Sequence, residues 1–334
     1  MDSTNNRQMK NYGILIIGLL FMVSSVSAQE GDFTPDGKPI MVIFSNFNTT
    51  LTNGEALSAF ELQRVYLGYE YNFSGHLSGK AVFDVGNPGV GKLQMTAYVK
   101  NAFLKYSINN LVVNFGMIST TQFGVQEGAW GNRYIAKSFQ DEFGFNSSAD
   151  LGISAAYQIS DILSVDVIVA NGEGYKTIQA DSTFRTGAGI TLKPINNVTA
   201  RVYYDYSNKD NAQSSFAGFL GYANDKFTVG AEYLLQLQPK FVADRSWSGT
   251  SIYSNINLTD NLKVFGRFDL LTSNTIPGET ENWNLDGDGQ WYIFGFEYSP
   301  VKGVKLSPNF KGWNPSDNSQ YFASTFFLNL EVKF

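Results

Sequence analysis

Charged residues in this chain recur at every second position of otherwise apolar runs. Arg64, Glu70, Lys80, Asp84, Lys105, Asp166, Arg185, Arg201, Asp205, Glu232, Lys263, Arg267, Asp269, Glu297, Lys305, Glu331 and Lys333 all lie opposite a greasy face. Nine are cationic and eight anionic. Charges of both signs, aimed into a common interior, suit a water-filled passage that filters ions. In a plugged interior they would instead pair with one another. A near-neutral set predicts weak ion selectivity, except where Arg64, Arg185, Arg201 and Arg267 meet at one level.

Other chemistry has little to work with. His76 is the only histidine, and it sits in a short turn. A Ser–His or Asp–His centre at the opposite end lacks its imidazole, and no paired-carboxylate motif replaces it, so no enzymatic activity is expected. The chain has no cysteine, which excludes disulfides and Cys-ligated zinc or iron–sulfur centres. NLDGDG (284–289) begins like a calcium loop, but its twelfth position is Gly295 rather than Glu, so an acidic surface loop is the expectation. GNPGVG (86–91) mimics a phosphate-binding loop, but no helix follows it. No cofactor or metal is expected.

The elements that carry these residues read as strands. Sixteen alternating segments fall at about 38–49, 60–73, 76–85, 97–107, 110–119, 149–159, 162–170, 183–193, 198–207, 214–223, 226–237, 248–258, 261–271, 290–299, 302–310 and 321–334. In KFTVGAEYLLQL, for example, Phe227, Val229, Ala231, Tyr233, Leu235 and Leu237 share one face. Connections alternate short and long. The short ones (73–76, 109–110, 160–161, 194–197, 224–225, 259–260, 300–303) are built of Asn, Asp, Gly, Pro and Ser. The long ones are 50–59, 86–96, 120–148, 171–182, 208–213, 238–247, 272–289 and 311–320.

This pattern predicts an all-β fold: a transmembrane, up-and-down antiparallel barrel with tight turns at one end and loops at the other. A soluble β-sandwich also alternates strands and turns, but it does not require that end-to-end bias. A charge facing lipid near the midplane costs ~2–4 kcal/mol, so the ionic faces should point inward. The low charged fraction of 16% and the aromatic fraction of 15% fit apolar faces that meet lipid.

Two segments stand out. Residues 120–148 form the longest loop and hold six aromatics, with Glu127, Asp141 and Glu142 opposing Arg133 and Lys137. A loop this long is usually functional. It reads as a constriction folded into the lumen, with a short helix near Tyr134–Phe139; the alternative is an external flap. The chain's last strand places Phe326, Leu328, Leu330, Val332 and Phe334 on one apolar face. Within lipid every backbone donor must be paired, so this strand is expected to pair with the first and close the barrel.

At the other end, Arg7 and Lys10 precede the apolar run Ile14–Val23 and the small-residue exit SSVSAQE. That order describes a secretory signal over 1–28, followed by a single barrel domain over 29–334. A buried N-terminal helix is the alternative. Removing 1–28 leaves 22 basic and 29 acidic residues, a net charge of −7, and gives no reason to expect a nucleic-acid partner.

RVYLGYEYNFSGHLSGKAVFD, then AYVKNAFLKYSINNLVVNFGMISTTQFG, then ANGEGY resembles the phosphate-selective porin O and P family. The matching positions are Arg64, Phe83 with Asp84, Ala97-Tyr98-Val99 and Gly116, and they cover the N-terminal half. The resemblance implies a sixteen-stranded outer-membrane porin, commonly a homotrimer, whose third long loop enters the channel. The chain departs from the phosphate-binding pattern because its candidate constriction charges are mixed rather than crowded with Arg and Lys. The ending is similar to the terminal signal of Gram-negative outer-membrane proteins, which implies recognition by the barrel-assembly machinery. The expected partners are outer-membrane lipid, that machinery, and small solutes or ions in passive diffusion. A phosphate- or anion-specific porin and a closed structural or adhesive barrel remain the alternatives.

Overall fold

The computed structural model describes residues 33–86 and 95–334. The expected signal over 1–28 and residues 87–91 of the glycine-rich run lie outside the described residues. The compact unit Asp36–Phe334 holds every strand. In chain order these are β1 (Asp36–Thr52), β2 (Glu55–Asn72), β3 (Leu77–Gly86), β4 (Thr96–Ile108), β5 (Leu111–Ser119), β6 (Ala149–Gln158), β7 (Leu163–Ala170) and β8 (Arg185–Leu192). Then follow β9 (Val198–Asn208), β10 (Ala212–Ala223), β11 (Phe227–Leu237), β12 (Ser246–Asn257), β13 (Leu262–Ser273), β14 (Gly289–Val301), β15 (Val304–Pro315) and β16 (Ala323–Lys333). Two short helices, α1 (Gly124–Trp130) and α2 (Phe139–Glu142), lie between β5 and β6.

Every strand pairs antiparallel with its sequence neighbours, and β16 pairs with β1, so the sheet closes into a sixteen-stranded barrel. Phe47 faces Leu328 across the seam, and the Phe334 amide donates to the Met41 carbonyl at 3.1 Å. Period-two alternation sorts the two faces. Outward residues such as Phe216, Leu220, Tyr233 and Ile252 are exposed. Inward ones such as Arg201, Asp205, Glu232, Arg267 and Asp269 are buried. On β16, Phe326 and Leu328 are exposed, as is Phe334 just beyond it, while Asn329 between them is fully buried.

Two expected long loops are short. The connection expected over 50–59 is a two-residue hairpin turn at Asn53–Gly54, with both residues at positive φ (50° and 78°). That is the geometry an Asn-Gly pair adopts between twisted strands, so β1 and β2 pair directly from Thr52–Glu55 downward, with one bulge at Gln63. The connection expected over 208–213 narrows to the three residues between β9 and β10. The tendency to long connections at that end persists in the β5–β6, β7–β8, β11–β12 and β13–β14 links. The helix expected near Tyr134–Phe139 is also misplaced. Residues 133–135 are a turn, and the helices flank it.

Candidate functional site

Residues 120–148 pack inside the barrel, against the inner faces of β1 and of β9 to β16. Their aromatics make the contacts. The Trp130 ring meets Tyr253 and Phe265 edge-on at 5.5 and 6.1 Å. Phe139 is fully buried, and its ring lies so close to Gly249 that a Cβ there would come within 2.4 Å of it. Only glycine gives β12 the room for this docking.

Polar side chains of the wall satisfy the loop's backbone, which would otherwise be buried without partners. Tyr253 donates to the Gln126 carbonyl at 3.0 Å, Asn255 to that of Trp130 at 3.1 Å, Arg267 to that of Lys137 at 2.6 Å, and Gln236 to that of Phe145 at 3.1 Å. Lys311 donates to the Ile135 carbonyl. The loop's own side chains reciprocate. Tyr134 donates to Glu297 at 2.9 Å and Gln140 donates to Glu232 at 2.9 Å. Burial and the Glu297 carboxylate both raise the Tyr134 pKa, so the phenol stays a donor.

Across the lumen from this buttress, three cations gather around one phenol. Arg64 donates to the Tyr66 hydroxyl at 2.8 Å and Lys100 does so at 3.2 Å. Arg133 reaches in from the loop, and its charge acts on the same phenol. Three carboxylates balance them. Arg64 pairs with Asp84 at 3.1 Å, and Arg133 pairs with Glu127 and, at 2.8 Å, with Asp141. Burial disfavours the Arg133 charge, but Tyr66, Glu127 and Asp141 outweigh it and hold its pKa well above the usual value. Tyr175, from the β7–β8 connection, donates to Asp84 at 2.7 Å. Its pKa is raised by burial and by that carboxylate, so it too remains a donor.

Lys100 reaches this cluster because of a bulge. Val82 pairs with Asn101 and Phe83 with Val99, which leaves Lys100 as the extra residue of β4. A bulge re-aims a side chain that simple alternation would place elsewhere. That explains why period-two reading passes over it.

The segment borders two cavities. At the long-loop end, a space of about 840 Å³ is lined by Arg64, Arg133, Lys137, Lys176, Arg185, Lys209 and Lys240, against Asp141, Glu173 and Asp181. At the short-turn end, a space of about 430 Å³ is lined by Val125 and Ala129 of α1 together with Asp166, Lys193, Arg201 and Phe219.

The expected site residues therefore divide. Arg64, Arg133, Lys137, Asp141 and Arg185 share the larger cavity. Glu127 neutralises Arg133, and Glu142 accepts from the Lys137 amide at 3.0 Å. Arg201 and Arg267 do not join Arg64 and Arg185 at one level. Arg201 clasps Asp166 at 2.6 Å and the Thr121 carbonyl at 2.7 Å, and Arg267 clasps Asp269 at 2.7 Å. Lys80 lies by Glu70 at 3.8 Å. Lys105 on β4 is exposed and forms no ion pair among the described residues. Tyr66, Lys100 and Tyr175 of the charge cluster and Lys176 of the larger cavity are residues that the sequence reading did not single out. In NLDGDG, Asp288 accepts from the Ser273 amide at 2.9 Å and its hydroxyl at 2.6 Å, which ties the loop to β13.

No family model and no curated protein matches this chain. Solved structures do. The chain is similar to the outer-membrane channel DcaP of Acinetobacter baumannii, with TM-score 0.67 and 13% identity over 92% of this chain and 100% of that one. It is similar to OmpF of Salmonella typhi, solved in complex with daunomycin, with TM-score 0.69 and 11% identity over 89% and 97%. An anion-selective porin from Comamonas acidovorans follows, with TM-score 0.66 and 10% identity over 90% and 100%. At these identities the likeness establishes a shared fold, the sixteen-stranded barrel.

Proposed function

We propose that the chain is an outer-membrane porin through which small hydrophilic solutes and ions diffuse, with residues 120–148 as its constriction. One observation carries this reading. A closed barrel with an apolar outer face encloses a folded segment that borders a charged cavity on either side. Lipid is the solvent for such an outer face, and water is the solvent for such an interior. The resemblance to known outer-membrane channels supports the same location. The long-loop end would then face outward and the short turns inward. The trimer implied by the family resemblance and the handling of the last strand by the assembly machinery belong to this proposal. Catalysis does not.

The finer phosphate-selective reading is less well supported. It needs an excess of cations at the narrowest point. Around Tyr66, three cations stand with three carboxylates: Arg64 pairs with Asp84, Arg133 with both Glu127 and Asp141, and Lys100 donates to the phenol. Vesicle swelling tests the channel itself. Vesicles carrying the purified chain should swell in small sugars at rates that fall with solute size. Impermeable vesicles holding correctly folded barrel would leave only the closed structural reading.

A further inference from the structure

The lumen's cations are not equivalent. Arg64, Arg201, Lys263, Arg267 and Lys305 each pair with a carboxylate. Lys137, Lys176, Arg185 and Lys240, all lining the larger cavity, form no ion pair among the described residues. Two guanidinium nitrogens of Arg185 lack any hydrogen-bond partner. Asp205 faces Arg185 without a hydrogen bond to it. The cavity's lining carries seven basic residues against three acidic ones. The chamber thus gathers several cations that lack an ion-pair partner, and its low-dielectric walls strengthen their field.

The same chamber is unusually aromatic for a wet vestibule. Phe143, Phe145 and Trp247 line it. Trp247 packs on Phe145 in a tilted pair at 4.4 Å and 31°, and its indole nitrogen has no acceptor among the described residues. Phe143 packs on Trp291 and Trp313 behind it, which holds the platform in place. A ligand pocket is typically an apolar concavity of this order of size with a few convergent polar groups. Rings gain from flat partners through area burial and offset stacking. Inorganic ions gain nothing from them.

We propose that this outer chamber recognises small organic anions in which a carboxylate is carried on an aromatic ring. The carboxylate is taken by Arg185 and Lys137, and the ring lies against the half-buried Phe143 and Trp247, which the buried Phe145 backs. Guanidinium binds carboxylate in a charge-assisted, fork-like geometry that lysine alone does not offer. The chamber concentrates such solutes ahead of the charge cluster at Tyr66. This inference rests on the channel reading.

The test uses the full chain in planar bilayers, with sodium benzoate and sodium acetate as probes of equal charge. Millimolar benzoate added on the long-loop side should transiently block the chloride current, and acetate at the same concentration should not. In Arg185→Gln the block should weaken about tenfold, the loss of one charge-assisted hydrogen bond, read against that variant's own open current. Phe143→Leu should weaken benzoate block while leaving the salt-gradient reversal potential unchanged. Equal effects of benzoate and acetate, or undiminished block in Arg185→Gln, would overturn the inference while the channel reading stands. A folded barrel that carries no current would overturn both.

Discussion

Arg267 and Lys137, 130 positions apart, are joined by a hydrogen bond of 2.6 Å from a wall guanidinium to a loop carbonyl. The other edge of the same guanidinium is clasped by Asp269, with both residues buried. The carboxylate fixes the arginine, and the arginine fixes the loop. Arg267→Met removes the donor and strands Asp269 in a buried site, at a cost of about 3–5 kcal/mol. The barrel should unfold at a lower temperature, and its current should flicker to higher levels as the loop loosens. Adding Asp269→Leu should recover most of the stability but leave the flicker, because the Lys137 carbonyl still lacks its donor. A steady current in both variants would show that the bond does not hold the loop.

The seam between β1 and β16 makes a second prediction. Phe334 closes the apolar face of β16, and its amide bonds to Met41. Deleting Phe334 should lower the yield of heat-modifiable barrel in the outer membrane and raise periplasmic aggregate. Undiminished yield would separate this residue from assembly.

Lys176 supplies a pH dependence. Burial, and then repulsion from Arg64, lower its pKa below the usual lysine value, with Asp84 opposing the shift. A lysine with a lowered pKa loses its proton earlier as pH rises. The outer chamber should therefore lose positive charge at a lower pH than an ordinary lysine would. The anion preference, measured as reversal potential in a salt gradient, should decline over that range. In Lys176→Arg it should stay flat, since arginine keeps its charge. An identical decline in the variant would assign the effect to another group.

How much of this was readable in the sequence depends on whether local rules held. The strands announced themselves because one face stays apolar at every second position through segments such as β11 and β16. Hydrogen-bonded pairing fixed their order once tight turns were recognised. The Asn53–Gly54 hairpin carried its own signal, an Asn-Gly pair between alternating runs, but the polar residues around it looked like loop. Lys100 was hidden because a bulge breaks the alternation that sequence reading relies on. The sorting of cations into paired and unpaired sets was also hidden. Arg201 finds Asp166 two strands away, whereas Arg185 forms no ion pair, and nothing in residue type or spacing distinguishes them. Similarly, α1 and α2 form where the barrel wall offers partners to their ends and faces, a tertiary effect that helix propensity does not contain.

The most direct test of the account replaces residues 126–142 with a short Gly-Ser link. That removes Trp130, Arg133 and Asp141 but leaves the strands and the outer face intact. Single-channel conductance is then compared with that of the parent chain, after heat modifiability has confirmed a folded barrel. The account predicts a severalfold rise in conductance and a loss of any discrimination set at Tyr66. A folded variant with unchanged conductance would contradict it, because the segment would then not be what narrows the passage.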